Sequence, residues 1–127
     1  MNRHVFVYGT LQGSEPNHRM MAGARFVREA RTAPLFTLLD LGPFPALREG
    51  GSTAVRGEVY EVTPEHLARL DRFEGVPRLY ERAEFRLDRD DVAEAYVQRG
   101  PARTGALIAS GDWRAYRKGR GHASEVA

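Results

Sequence analysis

Two short segments of this sequence, about sixty residues apart, hold the residues best suited to chemistry. The first is Val5-Phe6-Val7-Tyr8-Gly9-Thr10-Leu11, with Pro16-Asn17-His18 close behind. The second is Leu70-Asp71-Arg72-Phe73-Glu74-Gly75-Val76, followed by Tyr80. A glycine directly after an apolar strand can leave successive backbone N–H groups free, a nest for an anion or an oxyanion. An ordinary strand-ending turn reads the same way. Glu74 sits where a helix should end, between Phe73 and Gly75-Val76. A helix C-terminus disfavours negative charge, and an apolar setting raises a carboxyl pKa toward neutrality. A general base working near pH 7 needs that tuning. A solvated glutamate at a fraying helix end is the plain alternative. Tyr80 could hydrogen-bond a ligand, orient Glu74, or simply pack in the core.

Other chemistries find little support. The first loop has neither the Gly-x-x-x-x-Gly-Lys pattern of a nucleotide P-loop nor the Gly-x-Gly-x-x-Gly of a dinucleotide fold. None of the four histidines has a partner at the i, i+4 spacing of a helical zinc site. The absence of cysteine removes disulfides, thiolate chemistry and cysteine metal sites. No Gly-x-Ser-x-Gly elbow occurs. Ser110, before Gly111-Asp112-Trp113, reads as part of a turn. Asp112 could bond nearby backbone, and Trp113 is expected to pack. No metal and no cofactor is expected.

The elements that must position these residues follow from the pattern. Residues 4–8 read as a buried strand, and Asn17 is placed to cap a short helix over 18–22. Strands are expected near 24–31, 35–39 and 46–48, with Leu41-Gly42-Pro43-Phe44-Pro45 irregular between the last two. Gly50-Gly51-Ser52 is a turn. A strand over 55–62 leads to Thr63 as N-cap and Pro64 at the first helical position. The helix then runs to about Phe73 with Leu67, Leu70 and Phe73 on one stripe, and Gly75 ends it. Residues 80–87 and 92–97 form a hairpin about Asp88–Asp91. The short apolar run Leu107-Ile108-Ala109 precedes the Ser110–Trp113 turn, and the chain is expected to fray from about Tyr116. Strands outnumber helices and are joined mostly by short turns. This is an α+β domain with a curled, largely antiparallel sheet and one principal helix.

A length of 127 residues fits one domain. Residues 114–127 carry Arg114, Arg117, Lys118 and Arg120 against Glu125, so the net charge of +2 belongs to the tail. The body is close to neutral, which gives no nucleic-acid face. No apolar run reaches the roughly eighteen residues of a membrane span. The start, Met1–His4, runs into the first strand with no signal-type apolar stretch, and a cytoplasmic protein is expected.

Taken together and in this order, several motifs resemble the gamma-glutamylcyclotransferase-like (AIG2-like) superfamily. They are Phe6-Val7-Tyr8-Gly9-Thr10-Leu11, Pro16-Asn17-His18, Gly57-Glu58-Val59-Tyr60, Leu70-Asp71-x-Phe-Glu74-Gly75, Tyr80-x-Arg82 and Ser110-Gly111-Asp112-Trp113. The segment at 16–18 is most similar to gamma-glutamylamine cyclotransferases, and the Ser-Gly-Asp-Trp ending to small bacterial relatives. The likeness runs to about residue 115 and implies a domain over 1–115 with a basic, flexible tail over 116–127. It implies a small α+β fold on a mixed, largely antiparallel β-barrel-like sheet with flanking helices. It further implies cyclisation of a gamma-glutamyl compound to 5-oxoproline with release of an amine, without cofactor. On that reading Tyr8, Gly9, Thr10 and Leu11 bind the glutamyl part through backbone amides, Glu74 is the catalytic residue, and Tyr80 lines the site. The partner is then a small-molecule gamma-glutamyl substrate, with no nucleic acid and no membrane, and the Leu41–Pro45 loop or the tail could contact the leaving group without indicating which amine it is. Some small bacterial relatives lack the glutamate, and its presence here favours catalysis over a domain that only binds an amino-acid derivative. An interaction module built on the short basic tail is a third reading.

Overall fold

A computed structural model describes residues 1–101 and 105–126. Among the described residues, eight strands and two α-helices follow one another as β1 (Arg3–Val7), β2 (Arg25–Arg31), β3 (Phe36–Asp40), β4 (Pro45–Glu49), β5 (Arg56–Val62), α1 (Pro64–Phe73), β6 (Glu81–Arg86), β7 (Val92–Val97), β8 (Ala106–Leu107) and α2 (Trp113–Val126). A single 3₁₀ turn, His18–Met21, lies between β1 and β2. Five strands form one sheet in the order β2-β5-β1-β7-β6, and β4-β3-β8 form a second. All pairings are antiparallel except β1 with β7. The edges of the larger sheet meet through the Thr32–Leu87 bridge, which curls it toward a barrel without closing it.

The run Val5-Phe6-Val7-Tyr8 is apolar throughout because β1 is buried on both faces. Phe6 and Tyr8 enter a core shared with Leu38, Leu47, Val59 and Trp113. Val5 and Val7 enter a second core under α1, with Leu67, Leu70, Tyr80 and Tyr96. Alternation of side chains along a strand divides the two sets. A strand hydrophobic on both sides has nowhere to sit but the middle of a covered sheet.

Helix α1 begins as its sequence predicts: the Thr63 hydroxyl accepts from the His66 N–H at 3.1 Å and Pro64 occupies the first turn. It ends at Phe73, and Gly75 takes a φ of 69° that a side chain would resist. The expected stripe is altered at its end. Leu67 and Leu70 are buried, but Phe73 is 38% exposed and His66 joins the buried face, its Nε2 held at 2.8 Å by the Met20 carbonyl.

Three further expectations are corrected. Pro45 opens β4 rather than belonging to the irregular loop, since a first strand position tolerates a residue without an N–H. Asn17 makes no side-chain cap and donates instead to Thr10 Oγ1 at 3.0 Å. The stretch expected to fray from Tyr116 is helical. Asp112 Oδ1 caps it by accepting from the Ala115 N–H at 3.1 Å, Trp113 is buried, and Tyr116 stacks on Trp113 while its hydroxyl donates to Asp40 at 2.8 Å. Tertiary packing thus overrides the low helix propensity that Gly119 and Gly121 give this segment.

Candidate active site

Strand β1 ends against a cavity of about 170 Å³, lined on one side by Tyr8, Gly9, Thr10 and Leu11 and on the other by Glu74 and Tyr80. All six residues singled out in the sequence therefore meet at one place. The two segments converge because β1 is the middle strand of its sheet and α1 packs on the same face, through Val5 and Val7 against Leu67 and Leu70.

The Gly9–Leu11 loop is held by its carbonyls. The Gly9 carbonyl accepts from the Gln12 N–H at 3.1 Å and from Gln12 Nε2 at 3.3 Å. The Thr10 carbonyl accepts from the Asn17 N–H at 3.1 Å, and the Leu11 carbonyl lies 2.8 Å from His18 Nδ1. Asn17 and His18 of the 16–18 motif are therefore props for the loop. With the carbonyls turned to these partners, the N–H groups of Gly9, Thr10 and Leu11 have no hydrogen-bond acceptor among the described residues. Gly9 is dictated by space: a Cβ there would fall 2.7 Å from Cγ of Pro45 across the cavity wall.

Glu74 caps the C-terminal end of α1, its N–H bonded to the Leu70 carbonyl at 2.8 Å. Its carboxyl group is partly buried and has no ion-pair or hydrogen-bond partner among the described residues. Burial pushes its pKa from 4.5 up to about 7. It is thus a carboxyl group poised to take and return a proton near neutral pH.

The neighbouring side chains are fixed in place. The Tyr8 hydroxyl donates to the Tyr96 carbonyl at 2.6 Å and accepts from the Leu47 N–H at 3.3 Å. Burial first, then the Tyr80 hydroxyl and Glu74, drive its pKa well above the usual tyrosine value, so it stays protonated. Tyr8 pins β1 to β4 and β7, and what it offers the cavity is backbone and ring. The Tyr80 hydroxyl donates to the Pro45 carbonyl at 2.8 Å, tying β6 to β4. Asp71, one turn before Glu74, receives a forked pair of bonds from Arg82 at 2.9 and 3.0 Å and one from the Tyr96 hydroxyl at 2.7 Å. Arg82 also donates to Glu94. The spacing of Leu-Asp-x-Phe-Glu-Gly and Tyr-x-Arg thus has a physical meaning: Asp71 and Arg82 brace the end of α1 against the sheet and fix where Glu74 stands.

Sequence reasoning missed part of the lining. Tyr96, Asn17, Phe73 and Leu79 also border the cavity, as do Phe44 and Pro45 of the 41–45 loop, which the sequence offers as a candidate leaving-group contact. Phe73 and Leu79 are more than a third exposed at its edge. Phe73 carried a signal, because a large apolar residue beside a charged helix end is badly placed for the core. Tyr96 carried none, since its position depends on the parallel pairing of β7 with β1 at Val5–Glu94.

Comparison with known proteins shows the family to which the chain belongs. Residues 5–115 match the family profile described as "Gamma-glutamyl cyclotransferase, AIG2-like". A Vibrio cholerae protein provisionally named a gamma-glutamylcyclotransferase is 40% identical over 113 residues, covering 89% of this chain and 96% of its own. The rat gamma-glutamylaminecyclotransferase is 39% identical over 88 residues, which is 62% of this chain and 59% of the rat protein. Among solved structures, an AIG2-like protein from Mus musculus superposes with a TM-score of 0.80 at 29% identity, covering 88% of each chain. The chain therefore belongs to the gamma-glutamyl cyclotransferase, AIG2-like family.

Proposed function

We propose that this protein converts a gamma-glutamyl amine or gamma-glutamyl peptide to 5-oxoproline and a free amine, in the cytoplasm and without a cofactor. The observation that carries the reading is a partly buried carboxyl group with a pKa near 7 lining the same cavity as three backbone amides that lack a partner among the described residues. The names of the relatives supply the substrate class.

The chemistry divides between the two halves of the site. The amides of Gly9, Thr10 and Leu11 hold the glutamyl part. Glu74, ionised, takes a proton from the substrate's α-ammonium group. The freed nitrogen attacks the substrate's own γ-carbonyl carbon, and a five-membered ring closes. Negative charge on the carbonyl oxygen is met by backbone N–H groups, each worth about 3 kcal/mol in comparable oxyanion sites. As the intermediate collapses, protonated Glu74 gives its proton to the departing nitrogen and the bond to that nitrogen breaks. The ring nitrogen's second proton then passes through the same carboxylate to the released amine, which leaves as an ammonium ion, and Glu74 is again ionised. Water is neither consumed nor released. Holding a flexible glutamyl chain folded for ring closure is an orientation effect, and the shape of the cavity provides it.

The test is to incubate the purified protein with a panel of gamma-glutamyl amines and dipeptides and to measure 5-oxoproline. Turnover by the wild type and its loss in Glu74→Gln are the expected results. Binding without turnover of any panel member would replace this reading with that of a domain that only binds.

A further inference from the structure

The Gly9–Asn17 loop is rich in permissive backbone. Gly9 and Gly13 lie within it, and Ser14 adopts a φ of 67°. Such a segment needs an outside hold if its amides are to stay arranged. Much of that hold comes from the first turns of α2. Arg114 Nη1 donates to the Gly13 carbonyl at 3.0 Å and lies 3.4 Å from Glu58 Oε2. Glu58 Oε1 in turn accepts from the Gly13 N–H at 2.9 Å and from the Tyr60 hydroxyl at 3.0 Å. Trp113 Nε1 and Arg117 Nη1 both donate to Glu15 Oε1, at 3.0 and 2.8 Å. Arg114 Nη2 also lies 4.0 Å from Glu29 Oε1. Glu58 is a buried carboxylate in the middle of β5, a position that is unfavourable unless hydrogen bonds and a counter-charge offset its desolvation. Here every one of its named partners leads to the loop, to α2 or to its own strand. Among the described residues, neither those of α2 nor Glu58 lines the cavity.

We propose that α2 is a positioning element for the substrate-binding loop, with Arg114 its central residue, acting through Gly13 and Glu58 and seconded by the Trp113 and Arg117 bonds to Glu15. The C-terminal segment then belongs functionally to the site, although none of its described residues lines the cavity. The inference rests on the proposed role of the Gly9–Leu11 amides, but its first test does not depend on turnover.

That test is amide hydrogen exchange on the full-length protein, comparing wild type, Arg114→Met and Arg114→Lys. Methionine keeps the apolar stem and removes the donor. Lysine returns one donor, which suffices because a single Arg114 nitrogen serves both Gly13 and Glu58. The reporters are the Gln12 and Asn17 amides, which bond the carbonyls of Gly9 and Thr10, with the Gln98 amide bonded to Leu47 as a core control. Arg114→Met should speed exchange at Gln12 and Asn17 by about tenfold, the loss of one charge-assisted hydrogen bond, and leave Gln98 unchanged. Arg114→Lys should restore the wild-type rates. With gamma-glutamyl-methylamide as substrate, Arg114→Met should raise KM by a similar factor while the pH midpoint set by Glu74 stays in place. Unchanged exchange at Gln12 and Asn17, equal acceleration at Gln98, or failure of lysine to rescue would each overturn the proposal. Absence of 5-oxoproline release by the wild type would instead count against the proposed reaction, with the exchange data still deciding the role of α2.

Discussion

Replacing Glu74 by glutamine should stabilise the protein at neutral and alkaline pH while greatly slowing its proposed chemistry. The cavity holds the carboxyl pKa at about 7 rather than 4.5, by burial. A tenfold change in a protonation constant is about 1.4 kcal/mol, so the charged form is disfavoured in the folded protein by about 3 kcal/mol. The sign follows from linkage. Between pH 4.5 and 7 the folded state holds a proton that the unfolded state has lost, so the stability linked to Glu74 is full below 4.5 and is lost as pH rises through 7. Glutamine occupies nearly the same volume and cannot ionise. Wild type and Glu74→Gln should therefore differ little at pH 4.5, and the variant should be more stable by up to about 3 kcal/mol at pH 8. For a chain of this length that is a Tm difference on the order of 10 °C. Urea or thermal unfolding of both proteins from pH 4.5 to 8.5 measures it. A stability difference that does not change with pH would refute the argument that Glu74 is held in a desolvating cavity, and with it the basis for its role as proton carrier.

The same carboxyl group should place an acid limb with a midpoint near pH 7 on kcat/KM. Removing the base should lower the rate by about 10²- to 10⁴-fold; a pH-rate profile checks both. Tyr8→Phe leaves the Leu47 N–H and Tyr96 carbonyl without their hydroxyl partner and should cost about 1–3 kcal/mol of stability, with KM nearly unchanged because the hydroxyl does not face substrate; urea unfolding and steady-state kinetics together decide. Gly9→Ala puts a methyl group 2.7 Å from Pro45 and should destabilise by about 1–3 kcal/mol while raising KM more than any other change in the loop. Asp71→Asn weakens the forked Arg82 pair and the Tyr96 bond; a stability loss of about 2 kcal/mol and a shifted pH midpoint for Glu74 are expected, read from unfolding and from the pH-rate profile.

What the sequence makes legible here is mostly local. The Thr63-Pro64 start of α1, the glycine stop at Gly75 and the two-sided burial of β1 each follow from a few adjacent residues. The meeting of Tyr8–Leu11 with Glu74 was reached only through resemblance, because nothing local says that β1 is the middle strand and α1 its cover. Tyr96 is out of reach for the same reason: it borders the cavity by virtue of sheet order. The error over the C-terminal segment has a physical lesson. Glycines and a row of basic residues describe a poor isolated helix, yet Trp113, Tyr116 and the Asp112 cap anchor it, and Arg114 and Arg117 find carbonyl and carboxylate partners in the loop. Phe73 shows the reverse case, an apolar residue on the helix stripe that lies at the edge of the cavity instead of in the core.

The most direct test of the central claim is the release of 5-oxoproline from a panel of gamma-glutamyl amines and dipeptides by wild type and by Glu74→Gln, each shown to be folded. The account predicts stoichiometric 5-oxoproline and free amine from at least one compound with the wild type and release slower by about 10²-fold or more with the variant. Equal release by both proteins would contradict it.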